Sequence, residues 1–131
     1  MSTARGTFTV IDGGEVALRE APGEVRLTHI TGQQRFEGDI TGDGAVEWLM
    51  AYSADRSARF VGFQRIDGSI GGRSGSFLME STGDHDGASS TGKWRVIPGS
   101  GTGALAGITG VGSFRAPGGR TVEYELEYEL A

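Results

Sequence analysis

Gln33, Arg35, Glu37 and Asp39 fall at alternate positions, so in an extended chain all four side chains leave the same side. Phe36, Gly38 and Ile40 leave the other. Two readings of the polar side are open. Facing water, it is an ordinary solvated strand face. Facing a cavity, burial would raise the carboxyl pKa of Glu37 or Asp39, Arg35 would oppose the rise, and such a carboxylate can move a proton in an isomerisation or cyclisation.

The other reactive residue types narrow the chemistry. There is no cysteine, hence no thiol nucleophile, disulfide or thiolate metal site, and His29 and His85 are the only histidines. With so few bases and no serine in a strand-turn-helix setting, a hydrolytic triad is not supported. Asp84-His85-Asp86 offers ligand types, but adjacent residues rarely share one ion, and it reads as a loop tip. Asp39 to Gly44 resembles a calcium loop yet has Met50 where the twelfth-position acid belongs. No metal and no cofactor are expected. Gly101, Gly103 and Ala106 in the glycine-rich stretch Pro98 to Phe114 mimic a dinucleotide fingerprint. That fingerprint must open a helix, and Gly107, Gly110 and Gly112 forbid one. The stretch reads instead as a corner between two strands.

The elements that must hold these residues are strands. At 131 residues, with 24 glycines and three prolines, the chain shows short runs of Val, Ile, Phe, Thr and Tyr between glycines and no helical period. The runs are Gly6 to Asp12, ended by Gly13-Gly14; a short arm from Glu15 to Glu20; and Val25 to Thr31 continuing past Gly32 through Gln33 to Thr41. After these come Val46 to Tyr52, Arg59 to Ile66, Ser74 to Thr82, Gly92 to Ile97, Ile108 to Arg115 and Arg120 to Leu130. Hairpin turns are expected at Gly42-Asp43-Gly44 and at Asp67-Gly68, and a loop at Gly83 to Ser90. In the last run Val122, Tyr124, Leu126, Tyr128 and Leu130 alternate with four glutamates, which a strand gathers on one solvated face. The fold class expected is all-β: a single domain over residues 1–131, closed as an antiparallel barrel of about eight strands. Such a barrel has room for side chains or one small ligand.

The net charge of −5 and a single lysine, Lys93, argue against a nucleic-acid partner. No apolar run approaches the ~18 residues of a membrane helix, and the amino terminus lacks a signal-like core. The expectation is a cytoplasmic protein with no membrane partner.

Phe36 to Gly42 (FEGDITG), Gly71 to Gly83 (GGRSGSFLMESTG), Pro98 to Phe114 and Tyr124 to Leu130 (YELEYEL) resemble an uncharacterised bacterial family whose solved members are similar to the allene oxide cyclase barrel, in a calycin-like superfamily. The resemblance implies a cofactor-free barrel with an apolar cavity, relatives that form dimers or trimers, and relatives that cyclise natural products. The plant cyclases place a carboxylate and an amide two apart on the first strand. The matching positions are about Val10 and Asp12, of which Asp12 keeps a polar group. Histidines frequent in the uncharacterised family are replaced by Ser81 and Val122.

The function expected from these signals is a cofactor-independent cyclase or isomerase acting on a hydrophobic small molecule, with a non-catalytic binding barrel as the alternative. Glu37, Asp39 and Asp12 are the candidates for proton handling. Gln33, Arg35, Trp48, Tyr52, Gln64, Phe77, Met79, Trp94, Tyr124 and Tyr128 are the candidates for shaping the cavity. The expected assembly is a homo-oligomer.

Overall fold

The computed structural model describes residues 1–130, and among them eight strands form one closed antiparallel barrel. They are β1 (Ser2–Arg19), β2 (Arg26–Gly38), β3 (Ile40–Tyr52), β4 (Ala58–Ile70), β5 (Arg73–His85), β6 (Ser90–Val96), β7 (Thr109–Ala116) and β8 (Thr121–Glu129). Each strand pairs with its sequence neighbours, and β1 closes the sheet by pairing with β8. A rung of directly paired residues starting at Thr28 passes Met50, Phe60, Gly83, Gly92, Phe114, Tyr124 and Gly6. It re-enters β2 at Gly38, a stagger of ten residues from 28 to 38. That stagger tilts the strands and gives the interior its bore.

Alternation decides what fills the bore. Phe8, Phe36, Phe77, Met79, Trp94 and Leu126 are almost completely buried, and Glu123, Glu127 and Glu129 stay outside, as the last strand's pattern predicts. Phe8 stacks on Phe36 and on Trp94, and tilted contacts join Phe36 to Trp94 and both to Tyr124, at centroid distances of 5.0–6.2 Å. Removing each such ring from water contributes roughly 1.5–3 kcal/mol. A polar thread crosses this core: Trp94 Nε1 donates to Gln64 Oε1 at 2.7 Å, and Gln64 Nε2 donates to Gln34 Oε1 at 3.0 Å.

Several boundaries differ from the sequence expectation, each for a steric reason. The chain reverses at Gly38-Asp39, not at Gly42-Asp43-Gly44, which lies inside β3. Gly44 is glycine because a Cβ there would stand 2.7 Å from the Phe36 ring. Asp67-Gly68 likewise lies inside β4, since a Cβ on Gly68 would meet the Thr41 carbonyl; the turn is made by Gly71-Gly72, both at positive φ. Gly13-Gly14 does not end the first strand. It lets β1 continue past a bulge between Val10 and Asp12, so that the arm Glu15–Arg19 pairs with Leu27–Ile30 of β2. β5 also runs on to His85, leaving a loop of only 86–89.

The stretch from Pro98 onward is more than a corner. Thr102 N donates to the Ser76 carbonyl, and Thr102 Oγ1 lies 2.6 Å from Ser76 Oγ. A single 3-10 turn at Gly103–Leu105 then carries Leu105 and Ile108 into the core. This segment and the β2–β3 and β4–β5 turns occupy one end of the barrel. Loops 20–25, 53–57, 86–89 and 117–120 surround the other.

Candidate functional site: the open mouth of the barrel

At the second end, register builds the mouth. One rung runs Tyr52, Ala58, His85, Ser90 and Ala116 across β3 to β7. Ala58 and Ala116 fill little space, so the rung leaves a gap where larger residues would close it. The rung beneath carries Phe60, Gly83, Gly92 and Phe114, and the Phe114 ring lies where any Cβ on Gly92 would sit. The result is a cavity of about 220 Å³ walled by Phe8, Trp48, Met50, Phe60, Phe114 and Val122. Trp48 contacts Phe60 at 5.3 Å and Phe114 at 6.3 Å between centroids. The cavity shares Tyr52 and His85 with a wider cleft between loops 20–26 and 53–56.

Three polar groups belong to residues around this apolar space. The Tyr52 hydroxyl donates to Glu15 Oε2 at 2.8 Å, and Thr28 Oγ1 donates to the same oxygen at 2.6 Å. Burial, then the hydrogen bond and charge of Glu15, push the Tyr52 phenol up to about 12. Arg26 lies over the Tyr52 ring at 5.4 Å. On the neighbouring wall His85 Nδ1 is 2.8 Å from Ser90 Oγ. The third group is Trp48 Nε1, buried and without a hydrogen-bond partner. A buried N–H left unpaired costs about 1–3 kcal/mol.

The structure places the sequence candidates as follows. Trp48 and Tyr52 line the mouth. Phe77, Met79, Trp94 and Gln64 face inward but belong to the packed core, where Gln64 is committed to Trp94 and Gln34. The Tyr124 hydroxyl is taken up at the closed end, accepting the Ile40 N–H at 2.9 Å and donating to the Glu37 carbonyl at 3.0 Å. Burial pushes that phenol up to about 12. Tyr128 is buried beside Gly71, also away from the mouth.

Gln33, Arg35, Glu37, Asp39 and Asp12 are corrections. All five are exposed: Gln33, Arg35 and Glu37 because Gln34 and Phe36 take the inward positions of β2, Asp12 because the β1 bulge pairs it with outward Gln33, and Asp39 because it lies in the turn after β2. Asp39 caps the turn, its Oδ2 accepting the Arg5 N–H at 2.8 Å. None lines the cavity. His29 is on the outer face with Glu47 Oε1 at 3.1 Å. Of the Asp84-His85-Asp86 trio, only His85 turns inward; Asp84 pairs with Arg59, and Asp86 accepts N–H groups of Ala88 and Ser89. Those bonds hold the Asp86 carboxyl below its usual range.

Glu15, Thr28, His85, Ser90 and Phe114 were missed as site residues. For His85 a signal existed: Phe77, Met79, Ser81, Gly83 and His85 keep one parity if β5 is allowed to run on. For Glu15 none did, since Gly13-Gly14 hides the continuation of β1.

A larger depression outside the barrel is walled by Arg59, Asp84, Lys93, Arg115 and Glu123 and opens broadly to solvent. Its charges already pair, Arg59 with Asp84 and Arg115 with Glu123, which makes it the weaker site.

Comparison with known proteins adds a family and a fold, without an activity. The model of a family described as "Protein of unknown function (DUF3224)" matches residues 4–128, from the first buried residue of β1 to the last of β8. No curated protein matches the chain. Among solved structures it is similar to a protein of unknown function from the DUF3224 family of Shewanella oneidensis MR-1, at 25% identity and a TM-score of 0.79, over 100% of this chain and 98% of that one.

Proposed function

The chain belongs to the DUF3224 family, and from that footing we propose that it takes one small, mostly apolar molecule into the open mouth of its barrel. The observation that carries this reading is the aromatic-walled cavity of about 220 Å³, which opens between Tyr52, His85 and Ser90. A dry cavity of roughly 150 Å³ accommodates benzene, so the ligand class is a single ring or short branched chain of about ten heavy atoms. The Tyr52–Glu15 pair and His85 sit where the ligand's outer end would emerge.

A second reading is catalytic. Two proton-handling pairs, Tyr52–Glu15 and His85–Ser90, border the same cavity, an arrangement suited to taking a proton from one carbon and returning it to another. A cofactor-independent isomerase or cyclase would use them. The sequence resemblance to allene oxide cyclase-like barrels supports this as a fold-level analogy.

The test is an amide and indole NMR titration of 15N-labelled protein with benzaldehyde, cyclohexanone, anisole and n-hexane. Binding in the mouth shifts the Trp48 indole N–H and leaves that of Trp94, already bonded to Gln64, in place. No Trp48 shift with any of the four at millimolar concentration overturns the proposal. Conversion of a ligand that depends on Glu15 or His85 decides for the catalytic reading.

A further inference from the structure

We propose that the molecule taken into the mouth is a monoanion, an apolar ring or short chain ending in a carboxylate, with Arg120 as its counter-ion. This rests on the reading of the mouth as a binding site and adds the ligand's charge to it. Arg120 immediately precedes β8 and keeps the parity of Val122, Tyr124 and Leu126, so its side chain starts on the inward side and lines the cavity. Its backbone is held in place, the Arg120 carbonyl accepting the Val10 N–H at 3.2 Å. Of all the residues lining the cavity it alone carries a permanent charge, and none of them is a carboxylate.

The surrounding charges leave that cation without a protein partner. Among the described residues Arg120 forms no ion pair, whereas Arg19, Arg26, Arg59 and Arg115 each lie beside a carboxylate. The acids at this end are occupied or turned away. Glu15 accepts from Tyr52 and Thr28, and Glu20 and Glu24 face Arg26 and Arg19. Asp55 and Asp86 bind their own loops, and Asp12 pairs with outward Gln33. Arg56 lines the outer cleft and not the cavity. A guanidinium takes a carboxylate through two parallel N–H···O bonds, while Phe60, Phe114 and Val122 receive the apolar part. The net charge of −5 disfavours anions in general, so a preference for one must be local.

The experiment is calorimetric titration of the full chain at low ionic strength with phenylacetate and with phenylacetamide, which has nearly the same shape and no charge. The expected result is that the acid binds about tenfold tighter or better. Arg120→Gln should bring the acid down to the affinity of the amide, leave the amide within twofold, and leave the circular dichroism melt unchanged. An amide that binds as well as the acid overturns the proposal while the mouth stands as a binding site. A preference for the acid that survives Arg120→Gln puts the anion on another cation and overturns it too. Binding of neither compound at millimolar concentration overturns both this inference and the reading on which it rests.

Discussion

Tyr124 and Ile40 are 84 positions apart in the chain, yet the Tyr124 hydroxyl accepts the Ile40 backbone N–H at 2.9 Å. It also donates to the Glu37 carbonyl, so β8 ties down the reversal between β2 and β3 from inside the barrel. Gly6 is opposite, where any Cβ would press on that hydroxyl. The tie makes Tyr124→Phe costly: the Ile40 N–H stays buried without a partner. The expected loss is about 1–3 kcal/mol in urea unfolding, with the m-value unchanged. A loss below about 0.5 kcal/mol would show that water replaces the hydroxyl.

Alkaline stability reads the same residue. The Tyr124 and Tyr52 phenols are pushed up from 10.0 to about 12, chiefly by burial. The folded state thus holds these protons more tightly than the unfolded chain. Their contribution is fully present below pH 10 and is lost as pH rises from 10 to about 12. Urea midpoints should fall across that window, and less steeply in Tyr124→Phe than in the parent. Parallel profiles for the two proteins would contradict the assignment.

The amide thread through the core predicts an asymmetry. Gln64→Leu strips an acceptor from the Trp94 N–H and a donor from Gln34, and should cost about 1–3 kcal/mol. Gln34→Met removes one bond together with the unpaired Gln34 Nε2, so it should cost less. Because the residues share one network, the double variant should be milder than the sum, with a coupling of about 0.5–3 kcal/mol. Additive unfolding free energies would mean that the thread does not act as a unit.

Filling the mouth separates binding from folding. Ala116→Leu puts its added atoms into the cavity, which Ala116 lines beside Ser90. The expected outcome is at least a tenfold loss of affinity for whichever ring compound shifts the Trp48 indole, with thermal unfolding altered by only a few degrees. Glu15→Gln keeps the apolar walls and should leave affinity for an uncharged ring within about threefold, while abolishing turnover if the catalytic reading holds. Calorimetric titration reads the first and product analysis the second.

Much of the barrel was legible in alternation alone. Val46, Trp48, Met50 and Tyr52, then Trp94 and Val96, then Val122, Tyr124, Leu126 and Tyr128 all face inward as the period of two requires. Glycine was the residue that misled. Asp43-Gly44 and Asp67-Gly68 carry a hairpin signature, but both glycines serve as space beside Phe36 and the Thr41 carbonyl. Local sequence cannot tell a glycine needed for its φ from one needed for its missing side chain.

What the sequence by itself determined is therefore the class of fold and the facing of residues within most strands, because both follow from contacts between near neighbours in the chain. The tertiary structure decided which end is open. The stagger of ten brings the small Ala116 to one end, leaving a gap, and sends Tyr124, Tyr128, Leu105 and Ile108 to fill the other. It also joined Glu15 to Tyr52, 37 positions away, and turned Glu37 and Asp39 to the outside. Those outcomes depend on register around a closed sheet, a property that no single strand contains.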